Sequence, residues 1–256
     1  MNEFTLYHHP LSVCSMKARL ALVEKGLPWN DRTVDIVQAQ EQLEPWYVKL
    51  NPKGVVPTLV HHQQGEDRVV NNSAVIIRYV TEQQGGNDIL PEHESKRELI
   101  DKLIKMADEI NLQILSYAKH PSMEKSEQVL QARIKKSVAL ANEHPELQEQ
   151  YGEAAERSRN NSQFRVDPAH VGQIEAQALE ALAFARHQLT EHDYLGGDDY
   201  SLADVIWTVV LSRLELLGYG EWISEEQAPE IAAYYGRMQE RQSFITAQIQ
   251  NRWWKK

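Results

Sequence analysis

Two side chains near the start of the chain could do thiol chemistry. Cys14 is the only cysteine in 256 residues, and Ser12 stands two positions before it in the run LSVCSMK. A thiol attacks as its thiolate, so what matters is whether the surroundings favour that form. Ser12 suits a helix N-cap, because its hydroxyl can accept a backbone N–H that a starting helix leaves unpaired. Cys14 then falls in the first turn, where free N–H groups and the positive end of the helix dipole favour a thiolate. Both residues also have plainer uses. A lone cysteine commonly acts as a small buried hydrophobe, and serine caps many helices with no further role. The rest of the chain has to decide between these.

The elements that would position the pair follow from periodicity. Phe4 and Leu6 alternate with Thr5 and Tyr7, the period of a half-buried strand, and Pro10 ends it. From Met16 the spacing becomes helical, with Met16, Leu20 and Val23 on one face and Lys25-Gly26 as the stop. Thr33 to Val37 alternates again and reads as a second strand. Trp46, Tyr47 and Leu50 have helical spacing in the polar stretch before Pro52. GVVPTLVHH and RVV, joined by the turn-like QQGED, read as a hairpin carrying Pro57. Asn72 or Ser73 starts a helix whose apolar face holds Val75, Ile76, Tyr79 and Val80. Residues 1–84 therefore read βαβ–ββα, a small α/β layer.

Gly85, Gly86, Asn87, Asp88 and Pro91 have the composition of a boundary, and beyond them only helices are predicted. Leu99, Leu103, Met106 and Ile110 mark one long helix, and its periodicity carries on to Asn111, Gln113 and Tyr117. Leu130, Ile134, Val138 and Ala141 mark a second over 127–142. Residues 148–163 are polar and leave a solvent-facing helix or a loose insert equally open. Val171, Ile174, Ala178, Leu182, Ala185 and Leu189 mark another helix. Ser201 with Asp204 is a capping-box pattern, and the run behind it is too apolar all round for a surface helix. A last helix is predicted over 224–239. The predicted organisation is an α/β domain over 1–84 and an all-helical domain over 95–256.

Composition narrows the partners. A net charge of −10 argues against nucleic acid, which needs clustered Lys and Arg. One cysteine excludes an internal disulfide framework and points to a reducing compartment. No signal-peptide pattern and no apolar run long enough to cross a bilayer is found, so a cytoplasmic protein without membrane contact is expected. The pairs His8-His9 and His61-His62 are not spaced for one metal, because neighbours on a strand point to opposite faces, and no metal site is expected. The phase of Tyr7 on its strand makes it a core residue.

Taken together, these segments resemble the glutathione S-transferases, in particular the zeta-like class and the tetrachlorohydroquinone dehalogenases. VVPTLV resembles their cis-proline segment, NNSAVIIRYV their helix start that holds the γ-glutamyl end of glutathione, and SLADVIW their capping box. LSVCSMKARLAL resembles their Ser-x-Cys-Ser-Met-Lys stretch, and EPWYVKLNPKGVVPTL extends the likeness. The stretch EHPELQEQY resembles the longer loop of the dehalogenases and of the ganglioside-induced differentiation-associated proteins. The resemblance implies a thioredoxin-like N-terminal domain followed by an all-α domain. It implies glutathione as co-substrate, a small electrophile as second substrate, and a two-fold homodimer. It implies that Ser12 activates the glutathione thiol and that Cys14 exchanges thiols with a glutathione conjugate. Val56 before Pro57 would pair its backbone with glutathione, while Lys53 and the Asn72-Ser73 helix start would take its carboxylates. Asn111, Gln113 and Tyr117 would face the second substrate. Conjugation of small electrophiles is the leading expectation for activity. A glutathione-dependent dehalogenase or thiol-exchange reductase using Cys14 is the alternative within enzymes, and a non-catalytic binding protein of the same fold is the alternative outside them.

Overall fold

A computed structural model of the chain describes residues 3–83, 85–86, 88–90 and 93–249. Asn87, Pro91 and the NRWWKK tail lie outside the described residues. Contacts divide the chain into two compact units. One comprises Met1–Ser15, Trp29–Ile76 and Gln113–Val171, and the other Met16–Pro28, Ile77–Leu112 and Gly172–Lys256.

The first unit holds a four-stranded sheet. Strand β1 (Phe4–His8) lies between β2 (Trp29–Thr33), to which it is parallel, and β3 (Thr58–His61), to which it is antiparallel; β4 (Arg68–Asn71) closes the order β2-β1-β3-β4. Phe4 is opposite Trp29 on one side and His61 on the other, and β3 and β4 form the expected hairpin. Parallel β1 and β2 require a crossover, supplied by helix α1 (Val13–Glu24). The second strand lies four residues earlier than its alternation suggests. Residues 36–39 bend away instead, because the Asp35 carboxylate accepts from the Val37, Gln38 and Ala39 amides, a local alternative to a strand ladder. Helix α2 (Pro45–Leu50) packs Tyr47 with Val34 and Val56, with Tyr7 alongside, so Tyr7 is a partly buried core residue as its phase suggests. Helix α3 (Ser73–Thr81) buries Ile76, Ile77, Tyr79 and Val80; Val75 is exposed, which shifts the expected face by one residue.

After β4 the described residues contain no further strand. Helix α4 (Glu94–Glu109) does not run on to Tyr117. Ile110 is extended, with φ −70° and ψ 107°, and a separate helix α5 (Leu112–Ala118) follows. Helices α6 (Met123–Glu143) and α7 (Gln148–Phe164) pair within the first unit. The polar stretch over 148–163 is therefore neither loose nor solvent-facing all round. It buries Tyr151, Ala154, Ala155, Ser158 and Asn161, a stripe at i, i+3, i+4, i+7 and i+10 whose small residues permit close approach. Val138, predicted for the buried face of α6, is exposed, and the buried positions are Ser126, Leu130 and Ser137. An ionic clamp joins the pair. Arg165 donates to Glu127 at 2.6 Å, and Ser162 donates to the same carboxylate at 2.8 Å.

In the second unit α1 has almost no solvent face: every residue from Ser15 to Leu22 is buried. Helix α8 (Pro168–Leu189) buries Ile174, Ala178, Leu182 and Ala185 as expected. Helix α9 (Leu202–Leu214) is buried along its whole length and carries the predicted capping box. Asp204 accepts from the Leu195 and Ser201 amides, the Ser201 hydroxyl and the Tyr234 hydroxyl, all within 3.0 Å. The next helix, α10 (Pro229–Glu240), starts five residues later than predicted, behind a proline at its first turn. Gly86 has no room for a side chain, since a Cβ there would lie 2.2 Å from the Lys25 carbonyl carbon.

Two stability outcomes follow. Asp204→Ala should lower the denaturant midpoint by the equivalent of roughly 3 kcal/mol or more, because several buried donors lose one acceptor. A loss no larger than that of an exposed aspartate would contradict the hub role. For Glu127, burial opposes ionisation, but the hydrogen bonds from Gln131, Arg165 and Ser162 and the Arg165 charge hold it below its ordinary carboxylate value. Its stabilising contribution is thus complete above the unfolded-chain value and is lost as pH falls through the lowered folded one. Urea midpoints of wild type and Glu127→Gln should therefore differ at neutral pH and converge on acidification; parallel curves would remove the clamp from the acid response.

Candidate active site

The loop between β1 and α1 is held by local hydrogen bonds. The Ser12 amide donates to the His9 carbonyl (3.1 Å), the His9 amide to the Ser15 hydroxyl, and the Leu11 amide to the His9 ring nitrogen Nδ1 (each 3.3 Å). Ser12 caps α1 as expected, its Oγ accepting from the Ser15 amide at 3.3 Å. This use occupies the oxygen and leaves the hydroxyl hydrogen to donate elsewhere. Cys14, one residue inside the helix, is exposed.

A second group of polar side chains shapes the segment before β3. Thr58 Oγ1 donates to Asn71 Oδ1 (2.7 Å) and accepts from Asn51 (3.1 Å). The Val55 carbonyl accepts from both Asn51 (2.7 Å) and Tyr47 (3.0 Å). Burial pushes the Tyr47 hydroxyl up to about 12, so it remains a donor across the physiological range. The Val56–Pro57 peptide is cis, and among the described residues the Val56 amide and carbonyl have no hydrogen-bond partner. An extended peptide could pair with them as an added strand. Sequence reasoning singled out Val56 and Pro57 and missed Tyr47, Asn51, Thr58 and Asn71 as a group, because they read as separate helix, loop and strand residues until the fold converges them.

Asn72 takes a left-handed conformation at φ 73° at the start of α3. Its carbonyl accepts the first helical bond, from the Ile76 amide, and its side chain accepts from the Ala74 amide at 2.9 Å. Ser73 is the first helical residue and half-buried. Their N–H groups form the kind of helix start that receives carboxylates. Lys53 is exposed; its carbonyl accepts from Arg157 at 2.6 Å.

The three residues predicted for a second substrate do not share one helix. Asn111 is exposed in the break between α4 and α5, and Gln113 is exposed on α5. Tyr117 is half-buried, and its hydroxyl accepts from Arg133 of α6 at 2.5 Å. Arg133 also donates to the Ile36 carbonyl at 2.7 Å. Arg133 and Arg157 escaped the sequence reading because an arginine on a polar helix face looks like any solvated one.

Residues 11–83 match the family model described as glutathione S-transferase, N-terminal domain, and residues 153–237 match that of the C-terminal domain. The tetrachloro-p-hydroquinone reductive dehalogenase of Sphingobium chlorophenolicum is 36% identical, over 99% of this chain and 98% of that protein. The chain belongs to the glutathione S-transferase family. A second relative of this transferase, the 2,5-dichlorohydroquinone reductive dechlorinase of Sphingobium indicum, is 28% identical over 97% of the chain and 83% of that protein. Among solved structures, the beta-etherase LigF of Sphingobium sp. strain SYK-6 aligns with a TM-score of 0.73 at 25% identity, covering 96% of this chain and 98% of that one. The expected fold class, a thioredoxin-like domain followed by an all-α domain, holds for this family member, and it is an enzyme of that family. Among the described residues no helix is long and apolar enough to cross a membrane.

The geometry at Asn72 yields a test independent of activity. Asn72→Ala loses both a side-chain cap and a residue tolerant of positive φ, for a combined cost of about 2 kcal/mol. Asn72→Gly keeps the backbone freedom and should cost under about 1 kcal/mol. Equal midpoints for the two variants in urea would contradict this account of the turn.

Proposed function

We propose that this transferase catalyses the glutathione-dependent reductive dehalogenation of a halogenated hydroquinone. The observation that carries the reading is an exposed Cys14 two residues after a serine whose hydrogen is free to donate. It occurs in a chain similar over its full length to a tetrachloro-p-hydroquinone reductive dehalogenase. Glutathione lies along the segment at Val56 and Pro57, with its carboxylates at Lys53 and at the helix start of Asn72 and Ser73. Residues 1–84 form the glutathione-binding domain and residues 95–256 the substrate-binding domain. The working form is a cytoplasmic two-fold homodimer.

The chemistry runs in three displacements. Ser12 donates a hydrogen bond to the glutathione thiolate, which displaces halide from the ring and leaves an aryl thioether. The Cys14 thiolate then attacks the glutathionyl sulfur. The aryl carbon–sulfur bond breaks, its electron pair goes to the ring carbon, and that carbon takes a proton. Cys14 is left in a mixed disulfide, which a second glutathione thiolate attacks, releasing glutathione disulfide and restoring Cys14. In sum, one aryl halide is reduced by two electrons, two glutathiones are oxidised, and hydrogen halide is released.

Conjugation, which the sequence puts first, is the same path stopped after the first displacement. It needs Ser12 alone, and the cap geometry of Ser12 supports it equally well. Product analysis separates the two. Ser12→Ala should slow substrate consumption by roughly ten- to thousandfold, the range expected for loss of a preorganised donor. Cys14→Ser should consume the halogenated hydroquinone and accumulate the glutathione conjugate without dehalogenated product. Conjugate as the end product of the wild-type enzyme would leave conjugation as the activity. Unchanged products and rates in both variants would remove this turn from the mechanism.

A further inference from the structure

Arg133 and Arg157 differ from several other arginines of the helical region. Arg159, Arg165 and Arg186 are each paired with a glutamate. Arg133 and Arg157 have no carboxylate partner among the described residues, in a chain with 37 acidic side chains. Arg133 spends its two terminal nitrogens on the Tyr117 hydroxyl and the Ile36 carbonyl, and its buried Nε has no partner. Arg157 donates one terminal nitrogen to the Lys53 carbonyl. A guanidinium offers five N–H donors, so most of those on this pair remain uncommitted. The two cations also act on each other. Burial, and then the Arg133 charge beside it, lower Arg157 from its ordinary value, with Glu153 and Tyr117 opposing.

We propose that Arg133, Arg157 and the Tyr117 hydroxyl receive an aryl oxyanion, the ionised hydroxyl of a phenolic second substrate, and so select acidic phenols. The proposal rests on the halogenated-hydroquinone reading above. The Tyr117 oxygen accepts from Arg133, which leaves its hydrogen to donate and polarises it toward an anion. Ring halogens withdraw electron density and favour ionisation of a phenol, so the ligand brings the charge that two unpaired guanidiniums lack. Planar guanidinium suits an oxygen anion in both geometry and charge. Lys136 is not part of the set, because its ammonium is committed to the Ala39 and Gln40 carbonyls and to Glu44. Glutathione is not the expected occupant, since Lys53 and the α3 start are already assigned to its two carboxylates.

Equilibrium dialysis of the full chain at neutral pH, with tetrachlorophenol and its methyl ether tetrachloroanisole, tests this without turnover. Wild type should bind the phenol at least roughly tenfold more tightly than the ether, as expected for charge-assisted hydrogen bonds. Arg133→Gln and Arg157→Gln should abolish that preference and leave ether binding unchanged. Arg157→Lys should keep part of it, and Tyr117→Phe should reduce it by a smaller factor. No preference in wild type, or equal weakening of phenol and ether in the variants, overturns the proposal. A second arm compares glutathione with its glycyl ethyl ester. If the arginine variants lose discrimination there and keep it for the phenol, the cluster serves glutathione and the proposal is wrong. A phenol preference in a wild-type enzyme that turns over no halogenated hydroquinone would sink the catalytic reading and leave the oxyanion site standing.

Discussion

Helix α1 carries charged side chains through a buried environment, and its seating depends on how they are matched. Lys17, Arg19 and Glu24 are each less than a tenth exposed. An unpaired charge in such a place is strongly unfavourable, so each has to find a partner in a fixed direction. Lys17 donates to Asp108 at 2.6 Å, Arg19 to the Ala247 carbonyl at 2.9 Å, and Glu24 accepts from Arg241 at 2.9 Å and from Ser243. These contacts leave α1 in a single rotation about its axis. Helix α1 begins at Val13, so the turn that carries Ser12 and Cys14 is continuous with it. A helix held by apolar contacts alone could repack with a small rotation; one held by directional ionic contacts loses them first.

That reason also explains what could and could not be read from the sequence. The position of Ser12 at the cap was legible because capping is local: one hydroxyl meets one amide three residues on. The Ser201–Asp204 box and the central place of α9 were legible for the same reason, together with the apolar run behind them. The βαβ–ββα order followed from alternation and turn residues. The second strand was misplaced because Asp35 offers three amides a nearer acceptor than any neighbouring strand does, and alternation carries no trace of that competition. The break at Ile110 was invisible because apolar periodicity continues through it; only the extended backbone shows where the helix stops.

The least legible part is the pairing of α6 with α7. Its buried stripe is alanine, serine and asparagine around Tyr151, which hydropathy scores as surface. Close packing of small residues compensates for the missing large ones, and the Glu127–Arg165 clamp adds a directional contact. The same polarity that hid the pair allows it to hold Arg133 and Arg157 near the Ile36 and Lys53 carbonyls. The acceptors they use, the Tyr117 hydroxyl and the Ile36 and Lys53 carbonyls, come from outside the α6–α7 stripe, and a carboxylate in their place would have neutralised them.

Having a single cysteine constrains the proposed chemistry further. In a protein with a second thiol nearby, a mixed disulfide can be resolved from within. Here the chain contains no second cysteine, so a glutathionyl group on Cys14 can leave only by attack of a thiol arriving from outside. Such attack is in line with the disulfide and needs open space on the far side of the sulfur. Burying Cys14 would protect the thiol and at the same time block its own regeneration. Its exposure, in a helix otherwise buried from Ser15 to Leu22, is therefore what a one-cysteine exchange requires. Ser12 has no such need, because a hydroxyl that only donates a hydrogen bond is never consumed and works as well half-buried.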